Sequence, residues 1–147
     1  AMSTLDVFRT TVGAFAIGLA RRAFDETVHR VKTRELFGQK MSEMPAIQMK
    51  IADMYTDLAT AAVTVYEMAD FKDKAGSQRI SLEPAVAKLY ASEAAFRVVD
   101  TAVQLFGGMG VTRGCIIERL FREVRAARIY EGASEIQKIV IARQILA

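Results

Sequence analysis

SLEPAVAKLYASEAAFRVVDTAVQLF, residues 81–106, is the stretch on which the fold turns. Ser81 with Glu83 and Pro84 behind it reads as a helix start. A hydroxyl can cap free amides, a carboxylate suits the positive end of the dipole, and proline's missing N–H costs no bond in a first turn. From there Val86, Leu89, Phe96, Val99 and Val103 line one side at helical spacing. Ala87, Ala91, Ala94, Ala95, Val98, Ala102 and Leu105 line the others. A helix that is apolar all round must be covered all round, so the pattern predicts a central rod. Glu93 interrupts its apolar row; a carboxylate there must find partners, and a structural ion pair is favoured over catalysis.

Working outward, Ile47, Ile51, Met54, Leu58, Ala61, Val65 and Met68 alternate steps of four and three. They predict a helix from Ser42, with Glu43 and Pro45 in its first turn, to about Lys74, closed by Gly76 and Ser77. Earlier still, Leu5, Phe8, Val12, Phe15 and Leu19, continued by Phe24, Val28 and Val31, predict one long helix over about residues 3 to 34. Ser3 or Thr4 would cap it, Asp6 lies near its positive end, and the Gly38 neighbourhood supplies the break. Downstream of Gly107, Gly108 and Gly110, a shorter helix is expected from about Ile116 to Arg128. The turn Tyr130-Glu131-Gly132-Ala133 precedes a last helix capped by Ser134, with Glu135 in its first turn and Ile136, Ile139, Val140 and Leu146 on its apolar side. No strand pattern is present. Three long helices and two short ones on short loops predict an all-α, antiparallel up-and-down bundle, one domain over residues 1–147. The second and third helices carry more apolar surface than a lone bundle can cover, which predicts self-association.

The composition narrows the function. Of 147 residues 52% are hydrophobic and 25% charged, a globular balance. The net charge of +3 is spread along helices and does not imply nucleic acid. One Cys and one His exclude a disulfide framework and a Cys/His zinc site within this chain. Glu26-x-x-His29 resembles half of a di-iron bundle motif, but the second half needs another histidine, so no metal is expected and His29 reads as a surface residue. Charges interrupt every apolar run before a membrane span is reached, and no secretory signal opens the chain; a cytoplasmic location follows. Ala1 ahead of Met2 reads as a remnant of expression, with Met2 an initiator or an internal cut point.

Two constellations carry structural and functional readings side by side. Gly107-Gly108-Met109-Gly110 follows a helix, so it is neither a P-loop nor a dinucleotide turn; a helix C-cap is favoured, yet its backbone is open to a phosphate or sugar. Arg119, Arg122, Arg125 and Arg128 recur every third residue with Glu118 and Glu123 in reach, and a solvated, ion-paired face is favoured over an anion site.

Five segments in this order resemble one family: Arg34-Glu35-Leu36-Phe37-Gly38, Ile51-Ala52-Asp53-Met54, Ala87-Lys88-Leu89, Gln104 to Gly110, and Ile129-Tyr130-Glu131-Gly132-Ala133-Ser134-Glu135-Ile136-Gln137. Together they are similar to the C-terminal helical domain of the acyl-CoA dehydrogenases, over essentially the whole chain. The resemblance implies an N-terminal helical and a middle β domain in full-length members, both absent from this chain. It also implies FAD held between the β domain and this bundle, and dimers or tetramers built through the bundle. Arg34 and Phe37, with Gln104, Gly107 and Gly108, would contact the pyrophosphate and adenine side of a neighbouring subunit's FAD. Ala133 and Glu135 would border the cofactor, and Arg9, Tyr130 and Gly132 the acyl-CoA substrate.

By the same match Glu131 would be the base that removes the acyl α-proton while the β-hydride passes to the flavin. Some members carry the base on the first helix, where this chain has Phe8 ahead of Arg9. Ala133 replaces a frequent hydroxyl residue and Pro45 a frequent glutamine. The implied function is α,β-dehydrogenation of an acyl-CoA in fatty acid metabolism, the isolated domain being inactive. The alternative is a non-catalytic helical association module, or one subunit of a split dehydrogenase. The intact Tyr130-Glu131-Gly132 favours the enzyme.

Overall fold

The structure is a computed structural model and describes residues 2–76 and 80–147, with side chains from Asp6 onward. Helix α1 spans Met2–Thr33, α2 Pro45–Ala75, α3 Leu82–Phe106, α4 Ile116–Ala127 and α5 Ser134–Ile145. Among the described residues the only sheet is a hairpin of two-residue strands, β1 (Glu35–Leu36) and β2 (Gln39–Lys40), paired antiparallel. The all-α bundle is therefore as expected. Ala1, Ser77 and the Ser3 or Thr4 cap side chains lie outside the described residues.

Helix α3 is the rod round which the bundle is built, touching α1, α2, α4 and α5. Many of its buried residues are small. Ala85, Ala87, Ala91, Ala94 and Ala102 are fully buried; Ala102 shares one core cluster with Ala16, Ala20 and Ala23 of α1 and Ala127 of α4, and Ala87, Ala91 and Ala94 share another with Ala61 of α2. Alanine at a crossing lets two helix axes approach more closely than leucine does. Larger side chains, Met54, Leu58, Val98, Val99, Ile117, Leu120 and Val124, fill the space between crossings. The α3 surface left exposed is a polar strip, Arg97, Asp100 and Gln104, so the helix is covered on most sides but not all round, and the surplus apolar surface expected of it is largely absorbed within the chain. The exposed apolar side chains of α2, including Tyr55, Val63 and Tyr66, remain outside.

Three details differ from the sequence reading. The break at Gly38 is an ordered hairpin whose central residues Phe37 (φ 53°) and Gly38 (φ 79°) both have positive φ, as a type I′ turn requires. Two-residue strands leave no periodicity to read. Helix α2 starts at Pro45 with Met44 as its N-cap, while Ser42 lies in a 3₁₀ turn over Met41–Glu43. Ser134 is the first residue of α5 and its hydroxyl turns away from the helix; Ala133 is the N-cap.

Two glycines predict opposite responses to the same substitution. A Cβ at Gly110 would lie 2.7 Å from the Val103 carbonyl oxygen and 3.0 Å from the Phe106 Cβ, whereas a Cβ at Gly18, exposed in α1, meets nothing within 4 Å. Gly110→Ala should destabilise the chain by about 1–3 kcal/mol through overpacking. Gly18→Ala should stabilise it by about 1 kcal/mol through helix propensity. Calorimetric unfolding should show the midpoint falling for the first and rising for the second.

Candidate functional site

The residues singled out from sequence separate into two groups at opposite ends of α3. Lys88 and Gln104 mark those ends, sixteen residues and about 24 Å apart at the helical rise.

At the C-terminal end a cleft of about 640 Å³ is lined by Arg30, Arg34, Lys50, Gln104, Gly107 and Gly108, among others. Its lining includes three cations and no carboxylate. Arg30 is committed to structure: Nε and Nη2 donate to the Leu105 and Phe106 carbonyls at 3.2 and 3.0 Å, and the guanidinium lies 4.7 Å from the centre of the Phe106 ring. It thereby serves carbonyls that a helix leaves without partners at its end. Arg34 is exposed and its guanidinium has no partner among the described residues. Gly107 takes a φ of 61°, and a Cβ at Gly107 or Gly108 would meet nothing within 4 Å. Gly108, with no positive φ, is thus not required by the chain's own packing, and its backbone is open to a group from outside. Phe37 does not line this cleft; it stands at the hairpin tip, 96% exposed. Glu26 pairs with Arg22 at 2.7 Å and His29 is exposed.

At the N-terminal end the connection between α4 and α5 wraps over α3. Glu131 (φ 54°) and Gly132 (φ 91°) are both left-handed. A non-glycine residue in that region costs roughly 1–2 kcal/mol, so its surroundings must hold it there. Gln137 Nε2 donates to the carbonyls of Glu131 and Gly132 at 3.0 and 2.9 Å, and Lys88 Nζ donates to the Gly132 carbonyl at 2.8 Å. Gly132 is required twice over, because a Cβ there would also lie 2.5 Å from Gln137 Nε2. Glu131 Oε2 is buried with no hydrogen-bond partner among the described residues. Tyr130 is partly exposed; burial and the Glu131 carboxylate push its phenol above the usual value. Ala133 accepts the Ile136 and Gln137 amides, and Glu135 is exposed.

The turn is fastened from below by Glu93, which accepts from Arg128 Nε at 2.9 Å and from the Ser134 hydroxyl at 2.5 Å. Arg128 also stacks on Phe96, 4.6 Å from the ring centre. Glu93 is therefore the structural ion pair expected of it. Of the arginine row, Arg119 and Arg122 pair with Glu123 and Glu118 on the surface while Arg128 turns inward. Arg9 is buried on α1 and donates to Asp6 at 2.9 Å, and Asp6 also accepts from the Ser81 hydroxyl at 3.0 Å. Burial pushes the Lys88 ammonium below its usual value; Glu93 opposes that, Arg9 adds to it, and Glu131 and Glu135 oppose it.

Sequence reasoning gave no role to Lys88, Gln137 or Arg30. Lys88 carried a signal, since a charge inside an all-round apolar helix must be buried, the argument already applied to Glu93. Gln137 and Arg30 act on backbone atoms across a turn or across the bundle, which no local pattern displays.

Together these features define a helical bundle with a cationic, glycine-edged cleft at one end of its central helix and a strained carboxylate turn at the other. A family model described as "Acyl-CoA dehydrogenase, C-terminal domain" matches residues 1–146, and the chain belongs to that family. It is 42% identical over 146 residues to a 3-(aryl)acrylate reductase of Clostridium sporogenes, covering 99% of this chain and 38% of that protein. The structure matches butyryl-CoA dehydrogenase from Megasphaera elsdenii with a TM-score of 0.94 at 35% identity, over 99% of this chain and 38% of that one. It matches an acyl-CoA dehydrogenase complexed with FAD from Bacillus anthracis with a TM-score of 0.92 at 27% identity, over 99% and 28% of the two chains. The chain thus spans well under half the length of these relatives. Among the described residues no helix is long and apolar enough to cross a membrane.

The Glu93 pair gives an acid-side test. Burial alone would raise its carboxyl pKa, but the Ser134 hydroxyl, Arg128 and Lys138 outweigh it and hold it below the usual 4.5. A carboxyl whose folded value is depressed contributes stability that is full above 4.5 and is lost as pH falls through the folded value. Glu93→Gln should therefore cost about 1–3 kcal/mol near neutrality, for the lost charged hydrogen bonds. It should also flatten the decline of the unfolding midpoint below pH 4.5, measured by denaturant titration at stepped pH.

Proposed function

We propose that this chain supplies the base and part of the FAD site for α,β-dehydrogenation of an acyl-CoA thioester. The observation that carries the reading is Glu131. It is a carboxylate held in a left-handed conformation by Lys88 and Gln137, with one oxygen buried and left without a partner. A chain that only associates has no use for such a turn, whereas a base needs an oxygen kept free for the proton it removes.

FAD, when bound, accepts the hydride that leaves the substrate's β-carbon. The residues present fit that cofactor: Arg34 is an unpaired cation beside the open backbone of Gly107 and Gly108, a site suited to a pyrophosphate. Gln104 lines the same cleft and supplies amide donors and acceptors. Glu131 takes the α-proton, and in the reductive direction would return it, as the name of the clostridial relative suggests. Tyr130, Gly132 and Arg9 border the substrate, and Ala133 and Glu135 the flavin. Because Lys88, which holds the Glu131 turn, and Gln104, which lines the Arg34 cleft, lie about 24 Å apart along α3, the two sites are best assigned to two different cofactors, Glu131 serving one and the Arg34 cleft that of a second subunit. Phe37 at the exposed hairpin tip would reach across to the same neighbour. Copies associate as a dimer or tetramer with the remaining domains of the family in place. The exposed apolar side chains of α2 support that assembly.

In the full-length enzyme Glu131→Gln should keep the fold and the bound flavin while dehydrogenation falls on the order of a hundredfold to ten-thousandfold. Substrate-dependent bleaching of the flavin measures it, and substantial bleaching would place the base elsewhere. Arg34→Ala should instead weaken FAD retention, read by equilibrium dialysis, and leave turnover at saturating FAD near wild type.

A further inference from the structure

Lys88 presents a puzzle of placement. Its side chain is 0% exposed, on a helix whose other buried residues are mostly small and apolar. An ammonium in such a position forfeits hydration that one hydrogen bond and distant carboxylates do not restore in full. Its ammonium donates to the Gly132 carbonyl, at 2.8 Å. Among the described residues its donor thus serves no helix end and no paired carboxylate, but the peptide between Gly132 and Ala133, one residue beyond Glu131.

The same carbonyl accepts from Gln137 Nε2 at 2.9 Å, and that amide also reaches the Glu131 carbonyl at 3.0 Å. Two buried side chains from two helices therefore converge on two consecutive carbonyls. Fixing both carbonyls fixes the orientation of the peptide planes on either side of Gly132. One of those planes, between Glu131 and Gly132, is also one of the two that bound Glu131, whose backbone stands at φ 54°. If Glu131 relaxed to the right-handed region, the chain beyond it would swing and its side chain would no longer enter the same space.

We propose that Lys88 is a positioning residue: with Gln137 it clamps the Glu131–Gly132 backbone so that Glu131 Oε2 stays buried and free, and it is kept at the expense of stability. The proposal rests on the reading of Glu131 as the base. It assigns Lys88 no contact with substrate or cofactor. Lys88 acts through the backbone of the turn, and the side chain it positions does the chemistry.

The test uses Lys88→Met, which keeps the length and apolar stem and removes the donor. In the 147-residue chain, amide exchange at Ser134, whose N–H donates to the Arg128 carbonyl across the turn, should accelerate at least about tenfold. Exchange within α3 should stay slow and the unfolding midpoint should be unchanged or raised. In the full-length flavoprotein kcat should fall about tenfold to a hundredfold with KM within twofold of wild type. An unchanged kcat, unaccelerated exchange, or a fall in kcat matched by a lowered unfolding midpoint overturns the proposal, the last because it makes Lys88 merely structural. Gln137→Met, which removes the second donor to the same carbonyls, carries the same expectations if Lys88→Met does not fold. Glu131→Gln in parallel separates the two readings. If it retains activity the base lies elsewhere, whereas if it is inactive and Lys88→Met is fully active, only the positioning role fails.

Discussion

Close approach of helices through alanine is the constraint on which everything else in this chain depends. Many of the buried residues of α3 are alanines, and Gly13 of α1 is tucked between Val65 and the Ala87 carbonyl, 3.1 and 3.2 Å from where its Cβ would be. Small contacts shorten interaxial distances, and short distances leave no room for side chains to adjust independently. The bundle therefore behaves as a rigid frame. Only in such a frame can a lysine from α3 and a glutamine from α5 be aimed at the same carbonyl oxygen.

The two ends of α3 use opposite electrostatics. Its C-terminal end already carries the negative pole of the helix dipole, satisfied by the Arg30 guanidinium on the last carbonyls. With that arginine spent on structure, Arg34 remains unpaired. Its N-terminal half carries a denser arrangement of two linked groups of three, Arg9 and Ser81 on Asp6, and Arg128 and Ser134 on Glu93. One end leaves a cation exposed and unpaired, the other neutralises charge within the chain.

Much of the architecture was legible in the sequence, for reasons specific to its elements. A helix apolar on every side can only be central, and α3 is. The bounds of α1 and α4 and the C-terminal end of α2 fall within about a residue of their expected places, while the start of α2 is displaced from Ser42 to Pro45. What escaped was either too short or too distant to leave a local mark. The hairpin has two residues per strand, below the length at which alternation exists. Ser134 has the chemistry of a cap, but Glu93 lies close enough in space to take its hydroxyl. As for the candidate site, Glu131, Gly132, Arg34, Gln104 and the paired glycines were suggested by resemblance and not by periodicity. Periodicity alone supplied only Glu93, and the same argument applied to Lys88 would have found the buried clamp.

Phe37 leads in another direction. It is an aromatic ring at left-handed φ on the tip of a hairpin, 96% exposed, in a chain that contains no tryptophan. A tryptophan substituted there would be the sole indole of the molecule, sited where the chain's own interior never touches it. Its emission would report on whatever approaches the tip and on nothing else, giving this bundle a built-in optical address for encounters with other molecules.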